Sequence, residues 1–198
     1  MSKKLKDFDF SKRAASYDEG FEGKMSRRFY DLLQHEVKLD NGMRLLDVGC
    51  GTGSLINRLC ASGNIDAHGI DADANMIAAA LRQYPAASFQ QAPSERIPYL
   101  DHSFDVLTAC MAYHHFSDKA GFAREAARVL KPGGCLYIAD ANFPFVIRKT
   151  INGVARLLRV VGEFLTAQEI AGRFSGYGFQ LAETAYNGYA QVIKLVRE

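Results

Sequence analysis

No run of the 198-residue chain is both apolar and long enough to cross a bilayer, so a membrane-spanning helix is not expected. The opening Met1-Ser2-Lys3-Lys4-Leu5-Lys6 is basic but leads into no apolar segment, so a secretory leader is not expected either. Charge of one sign is also missing. Lys and Arg number 24 against 22 Asp and Glu, and the resulting +2 is too small to point to a nucleic-acid partner. The four cysteines, Cys50, Cys60, Cys110 and Cys135, form no C-x-x-C pair and no Cys/His spacing suited to zinc, so no metal site is expected. Cys50, Cys110 and Cys135 fall in strand or loop segments of the core, where a thiol acts as a small apolar side chain; reduced thiols in a cytoplasmic protein are the expectation. No internal repeat or low-complexity segment is evident. With 48% apolar and 23% charged residues, the composition suits a single soluble domain over 1–198 with a sizeable core.

What the chain does have is the stretch Leu45-Leu46-Asp47-Val48-Gly49-Cys50-Gly51-Thr52-Gly53-Ser54-Leu55. An apolar run ends in an acid, glycines then alternate with other residues, and an apolar helical pattern follows. This reads as strand, tight loop and helix start. Glycine tolerates positive φ and has no Cβ, so such a loop turns sharply and lets a ligand lie on its backbone. A dinucleotide fingerprint G-x-G-x-x-G counted from Gly49 would need its third glycine at Ser54. The pattern here is D-x-G-x-G-x-G instead.

Around that loop the periodicities alternate. Phe10, Arg13, Ala14 and Tyr17 make a short helical face, and Met25, Phe29, Leu32, Leu33 and Val37 make a longer one, closed by Asp40-Asn41-Gly42. Strands are expected at Met43–Val48, Ile65–Ile70, Ala87–Gln90, Phe104–Ala109 and Cys135–Asp140. The intervening helices carry Leu55, Ile56 and Leu59; Met76, Ile77 and Ala80 behind an Asp73 cap; and Phe122, Ala126 and Val129 after Asp118. Lys131-Pro132-Gly133-Gly134 is a turn into the fifth strand. Right-handed βαβ units and a parallel sheet follow from this alternation. Thr166-Ala167-Gln168-Glu169 is a capping box with Leu165 and Ile170 as its hydrophobic staple. Strand-like Phe179–Ala185, an Asn187-Gly188 turn and Gln191–Val196 close the chain as a hairpin. Asp71, at the end of the second strand, is placed to accept both ribose hydroxyls of a nucleoside resting on the first loop.

The D-x-G-x-G-x-G loop resembles motif I of the class I S-adenosylmethionine-dependent methyltransferases. The Asp71-x-x-x-x-Met76 pattern, the Phe104-Asp105 strand and the Lys131-Pro132-Gly133-Gly134 turn agree with that family in order. The resemblance implies an α/β Rossmann-like fold: seven strands, mostly parallel, a C-terminal antiparallel hairpin, helices on both faces and an N-terminal helical lid over 1–39. It implies S-adenosylmethionine as cofactor, with S-adenosylhomocysteine as product. Asp47, Gly49, Gly51 and Gly53 would hold the methionyl end and Asp71 the ribose. Met76, Pro93 and Ser94 would border the adenine, while Cys50, Ala72 and Cys110 complete the lining. Ala92–Asp105 looks like the family's G-D-A-E-x-L-P-F-x-D-x-S-F-D stretch, whose acid accepts the adenine amine. Pro93 replaces that acid here, leaving Gln91, Glu95 or a backbone carbonyl for the role.

Cys110-Met111-Ala112-Tyr113-His114-His115-Phe116 lacks the N-P-P-Y and Pro-Cys signatures of nucleic-acid base methylation. It resembles instead the small-molecule branch, the ubiquinone/menaquinone-type and biotin-pathway-type enzymes. His114 or His115 could be a general base, or one could be structural and the other solvent-facing. Phe10–Asp18 resembles the F-x-x-x-A-x-x-Y-D element of the same branch, which would bring Arg13 and Tyr17 over the cofactor. Finally, Ala141–Gly162 contains no acid but includes Arg148, Lys149, Arg156 and Arg159. Ile147, Ile151, Val154, Leu158 and Val161 form one apolar stripe with the basic residues opposite. Within this 141–165 insertion, residues 147–161 could be a lid over an apolar acceptor, an interface helix, a peripheral contact with an anionic membrane, or a helix packed on its own sheet. The expected activity is methyl transfer to a small-molecule acceptor. A catalytically silent cofactor-binding protein and another sulfonium chemistry are the alternatives. The number of subunits is open.

Overall fold

The computed structural model describes residues 21–61, 63–158 and 162–198. Helix α1 (Phe21–Glu36) leads into strand β1 (Arg44–Val48), helix α2 (Ser54–Cys60), β2 (Asp66–Asp71), α3 (Ala74–Gln83) and β3 (Ser88–Gln91). There follow β4 (Phe104–Cys110), α4 (Lys119–Val129), β5 (Leu130–Ala141), α5 (Phe145–Leu158), α6 (Ala167–Phe174) and the hairpin β6 (Phe179–Asn187) and β7 (Ala190–Arg197). The sheet has seven strands in the order β3-β2-β1-β4-β5-β7-β6. β1 to β5 are parallel, and β7 runs antiparallel to both β5 and β6. This is the predicted doubly wound architecture. The chain builds outward from β1 to β3, then returns to lay β4 on the other side of β1. That reversal opens a crevice at the carboxyl ends of β1 and β4.

Side-chain alternation along the strands feeds two core layers. Leu46, Val48, Leu107, Leu136 and Ile138 pack with Phe122, Ala126, Ile170 and Phe174 of α4 and α6. Leu45, Val106, Tyr137 and Ala139 pack on the opposite face with Phe29 and Leu33 of α1 and Leu55 of α2. Caps hold the helix starts where the sequence placed them. Asp73 accepts from the Asn75 amide at 2.8 Å, Asp118 from the Gly121 amide at 2.7 Å, and Thr166 and Glu169 close their capping box. The 96–101 segment is held by α4, whose Glu125 accepts the Ile97 amide at 2.8 Å. The Arg128 guanidinium donates to the Ile97 and Tyr99 carbonyls, each at 2.8 Å, and pairs with Asp101 and Glu125.

Three expectations need correction. β5 begins at Leu130 rather than Cys135, because Leu130 pairs with Phe104 before the register shifts and resumes at Val106 and Cys135. Lys131–Gly134 is therefore an irregularity within the strand. At the hairpin, Asn187 is still paired with Ala190, and Gly188-Tyr189 makes the turn with Gly188 at φ +62°. Only Cys50 of the four cysteines is buried as a whole residue; Cys60, Cys110 and Cys135 keep partial exposure, although the Cys110 thiol itself is shielded. For α5, several readings were open. It buries none of its residues; Ile147, Val154 and Leu158 of its apolar stripe are exposed, while Ile151 is half-buried. Arg148 and Asn152 face inward instead, because each finds fixed polar partners there. Asn152 exchanges two hydrogen bonds with the Phe164 backbone, at 2.9 and 3.0 Å, and Arg148 pairs with Glu169.

Candidate active site

Asp47 is the penultimate residue of β1 and is buried at 2% exposure. The Thr108 hydroxyl on neighbouring β4 donates to its Oδ1 at 2.7 Å. Burial pushes the Asp47 carboxyl up to about 7, against the lowering effect of the Thr108 bond and with some help from the Asp71 charge. The loop then turns through Gly49, Gly51 and Gly53 at φ +76°, +54° and +84°. A side chain at Gly49 would be both strained and blocked, since a Cβ there would lie 2.5 Å from the Ala112 Cβ. The Gly49 and Cys50 amides both donate to the Ile70 carbonyl, at 2.8 and 3.0 Å, which ties the loop to β2.

Asp71 fixes the other side. Its Oδ2 accepts the Gly51 amide and its Oδ1 the Asp73 amide, each at 2.9 Å, so one carboxylate joins the glycine loop to the β2–α3 turn. Burial raises its pKa, and these backbone bonds pull the other way. Across the crevice, Met111 continues from β4 with φ +50°, an uncommon backbone for a side-chain-bearing residue. Its amide is held by the Ala139 carbonyl at 2.8 Å, and the chain then coils through a short 3-10 turn, Tyr113–His115.

These elements enclose a cavity of about 700 Å³. Asp47, Gly49, Cys50, Gly51, Asp71, Ala72, Met76, Pro93, Ser94, Cys110 and His115 all line it. Two expected residues do not. Gly53 lies behind the loop as the N-cap of α2, against the rings of Phe89 and Tyr84, so its role is to turn the chain. His114 is turned into the core at 4% exposure. Its amide donates to Asp140 Oδ2 at 3.1 Å, and its Nδ1 lies 2.7 Å from Oδ1, close but out of line for a hydrogen bond. The His114 ring stacks on Phe164 at 4.5 Å and touches His115 at 4.0 Å. Of the two histidines, His115 is the one at the cavity. Arg13 and Tyr17 lie outside the described residues.

The Cys50 and Cys110 thiols are pushed up by burial and by the nearby carboxylates, so neither is a thiolate at neutral pH. Among the described residues, no group of three or more His, Cys, Asp or Glu could hold a metal ion. Sequence reading missed Ser26 and Tyr30, which reach the cavity from α1, and Asn75; of the residues named for the adenine amine, Glu95 lines the cavity and Gln91 does not. It also missed Thr108 and Asp140, the two groups that fix Asp47 and His114. Asp140 did carry a signal: like Asp47 and Asp71, it is an acid closing an apolar strand. A second hollow of about 540 Å³, walled by Phe143, Phe145, Arg148 and Tyr189, lies beyond Phe164 at the β5 end of the crevice.

Residues 46–138 match the family described as a methyltransferase domain. A demethylmenaquinone methyltransferase of Chlorobaculum parvum is 34% identical over 140 residues, covering 71% of this chain and 56% of that protein. A 27-O-demethylrifamycin SV methyltransferase of Amycolatopsis mediterranei is 37% identical over 119 residues, covering 57% of this chain and 44% of that protein. The chain thus spans about half the length of these curated relatives. A ubiquinone/menaquinone biosynthesis C-methyltransferase of Geotalea daltonii is 28% identical over 87% of this chain and 73% of its own length. Among solved structures, an S-adenosylmethionine-dependent methyltransferase of Aquifex aeolicus superposes with TM-score 0.68 at 18% identity, covering 90% of this chain and 100% of its own. The methyltransferase solved with the Trm112 activator from Haloferax volcanii superposes with TM-score 0.80 at 19% identity, over 98% of this chain and 99% of that one. At such identities the agreement is one of fold.

Proposed function

The chain belongs to the class I S-adenosylmethionine-dependent methyltransferases, with S-adenosylmethionine as cofactor, and we propose that it transfers the methyl group to a small, apolar, ring-bearing acceptor. One observation carries this reading. The glycine loop, Asp71 and the His115-Phe116 turn, which come from distant parts of the sequence, line a single cavity of about 700 Å³. That size suits a nucleoside-sized ligand with a reacting partner beside it. The residues present also fit the cofactor. A Cβ at Gly51 would meet nothing within 4 Å, so the loop offers bare backbone and open space where the ligand would lie. Asp47 and Asp71 both line the cavity, where Asp47 would face the methionyl end and Asp71 the ribose hydroxyls. Met76, Ala92 and Pro93 offer an apolar wall for a flat ring.

Bound S-adenosylmethionine supplies a methyl carbon already activated by its sulfonium and leaves as the neutral thioether. The task left to the protein is alignment, which in well-oriented systems is worth on the order of 7 kcal/mol. The Asp71 bonds to Gly51 and Asp73 and the Ile70 carbonyl bonds to Gly49 and Cys50 hold the donor side rigid. His115, at the acceptor side, takes the proton that an oxygen, nitrogen or carbon nucleophile loses. Asp140 and Phe164 hold His114 behind it as a positioning residue. The aromatic lining of the second hollow favours a ring-bearing acceptor, in keeping with the quinone named for two of the relatives. Calorimetric titration with S-adenosylmethionine and S-adenosylhomocysteine, followed by labelled-methyl transfer into a lipid-soluble metabolite extract, tests the reading. Absence of cofactor binding refutes it outright. Binding without transfer to any extract favours the silent binder.

A further inference from the structure

Ten large apolar side chains are exposed among the described residues, and six of them are on α5: Phe145, Val146, Ile147, Val154, Leu157 and Leu158. Leu157 is 81% exposed and Val146 73%. This concentration is not the scatter that any protein surface shows. It is also fixed. Turning the helix to bury these side chains would break the paired Asn152–Phe164 bonds and the Arg148–Glu169 ion pair, leaving a guanidinium without its carboxylate. The polar anchors therefore hold the apolar side out.

Charge accompanies it. Lys149 and Arg156 are exposed on the flank of the apolar side, with the Lys149 ammonium 4.6 Å from the Phe145 ring centre, and residues 141–162 contain no Asp or Glu. No helix among the described residues is long and apolar enough to span a membrane, so contact would be along the surface. A second copy is a poor occupant, because a two-fold contact through α5 would bring the cations of both helices together with no acid in the segment to offset them.

We propose that α5 seats the protein on an anionic lipid surface. Its apolar side chains enter the headgroup–acyl boundary, and Lys149 and Arg156 lie at the lipid phosphates. Since α5 leaves the carboxyl end of β5, the seated face is at the same end of the sheet as the cavity.

The test is co-sedimentation of the full chain with phosphatidylglycerol and with phosphatidylcholine vesicles. Binding should be at least about tenfold tighter to phosphatidylglycerol and should weaken as salt is raised. Val146→Ser with Leu157→Ser should lower partitioning by about tenfold or more, with the melting temperature unchanged because both positions are exposed. Lys149→Gln and Arg156→Gln should each cost about fivefold on phosphatidylglycerol and almost nothing on phosphatidylcholine. Failure to bind phosphatidylglycerol overturns the proposal. So does binding that survives all four substitutions, which would place the contact on another basic segment such as Lys3-Lys4. A vesicle-independent dimer in sedimentation velocity that Val146→Ser with Leu157→Ser dissociates would assign the face to a second copy instead.

Discussion

With Asp47 proposed to hold the methionyl end, cofactor affinity should depend on pH with a definite sign. In the free protein its carboxyl titrates at about 7, because burial at the end of β1 disfavours the charge more than the Thr108 hydroxyl supports it. The ammonium of the methionyl end, brought beside it, favours the ionised form, so binding at lower pH must expel a proton. Affinity should therefore rise with pH up to about 7 and level off above it. At about pH 5.5 only roughly 3% of the free protein has Asp47 ionised, so affinity should be about 30-fold below its plateau, or about 2 kcal/mol. Titration calorimetry in buffers of different ionisation enthalpy measures both quantities, the affinity and about one proton released per site below the midpoint. Asp47→Asn should remove the slope and the proton release together. Folding of the free protein carries the opposite sign. Between the ordinary carboxylate range and about 7, the unfolded chain has released a proton that the folded one keeps, so this residue makes stability fall as pH rises through that window. A cofactor affinity that is flat from about pH 5.5 to 8, or a proton taken up on binding, would refute the placement of Asp47 at a cationic group.

Three further outcomes test the same site. Thr108→Val keeps the volume but removes the hydrogen bond, so the Asp47 carboxyl should titrate still higher and the affinity plateau should move to higher pH, read from the same calorimetry. Gly49→Ala forces a Cβ to within 2.5 Å of Ala112 at φ +76°, which should cost on the order of 1–3 kcal/mol in a denaturant melt and abolish cofactor binding. Asp140→Asn and His115→Ala should separate. The first loses a buried anchor of His114 and lowers stability by roughly 1–3 kcal/mol, while the second leaves the melt and the cofactor affinity unchanged but slows methyl transfer.

The glycine loop was legible because its chemistry is local. The run Asp47 to Gly53 has to turn sharply after a strand, and only that spacing of glycines lets it. Asp71 could be found because an acid at the end of the neighbouring strand meets the loop through the regular offset of βαβ units. Thr108 was not legible as a partner of Asp47, since parallel strands bring together residues 61 positions apart in a register that no periodicity reports. The two histidines are adjacent and chemically identical, and which one reaches the cavity depends on the left-handed Met111 and on Asp140 capturing His114, both of which belong to the folded state. The anchoring of residues 96–101 was not legible either, because the three bonds that Arg128 gives to the Ile97 and Tyr99 carbonyls and the Asp101 carboxylate come from α4, later in the chain.

The α5 helix shows where periodicity alone does not decide. Ile147, Ile151, Val154 and Leu158 lie on one stripe, and a stripe on a helix ordinarily states which side is buried. That inference assumes that apolar area decides the orientation. Here the decision falls to two polar side chains. Asn152 matches the donor and acceptor of the Phe164 backbone, which has no strand or helix partner of its own, and Arg148 lies 21 residues from the Glu169 carboxylate that also closes the α6 capping box. An unpaired backbone group and a buried charge each cost more to leave unsatisfied than an exposed aliphatic side chain costs to leave in water. The same segment that fixes α5 also stacks Phe164 on His114. The orientation of the helix and the position of the histidine behind the acceptor side are thus set by one piece of chain, and substituting Asn152 with Ala should disturb both at once.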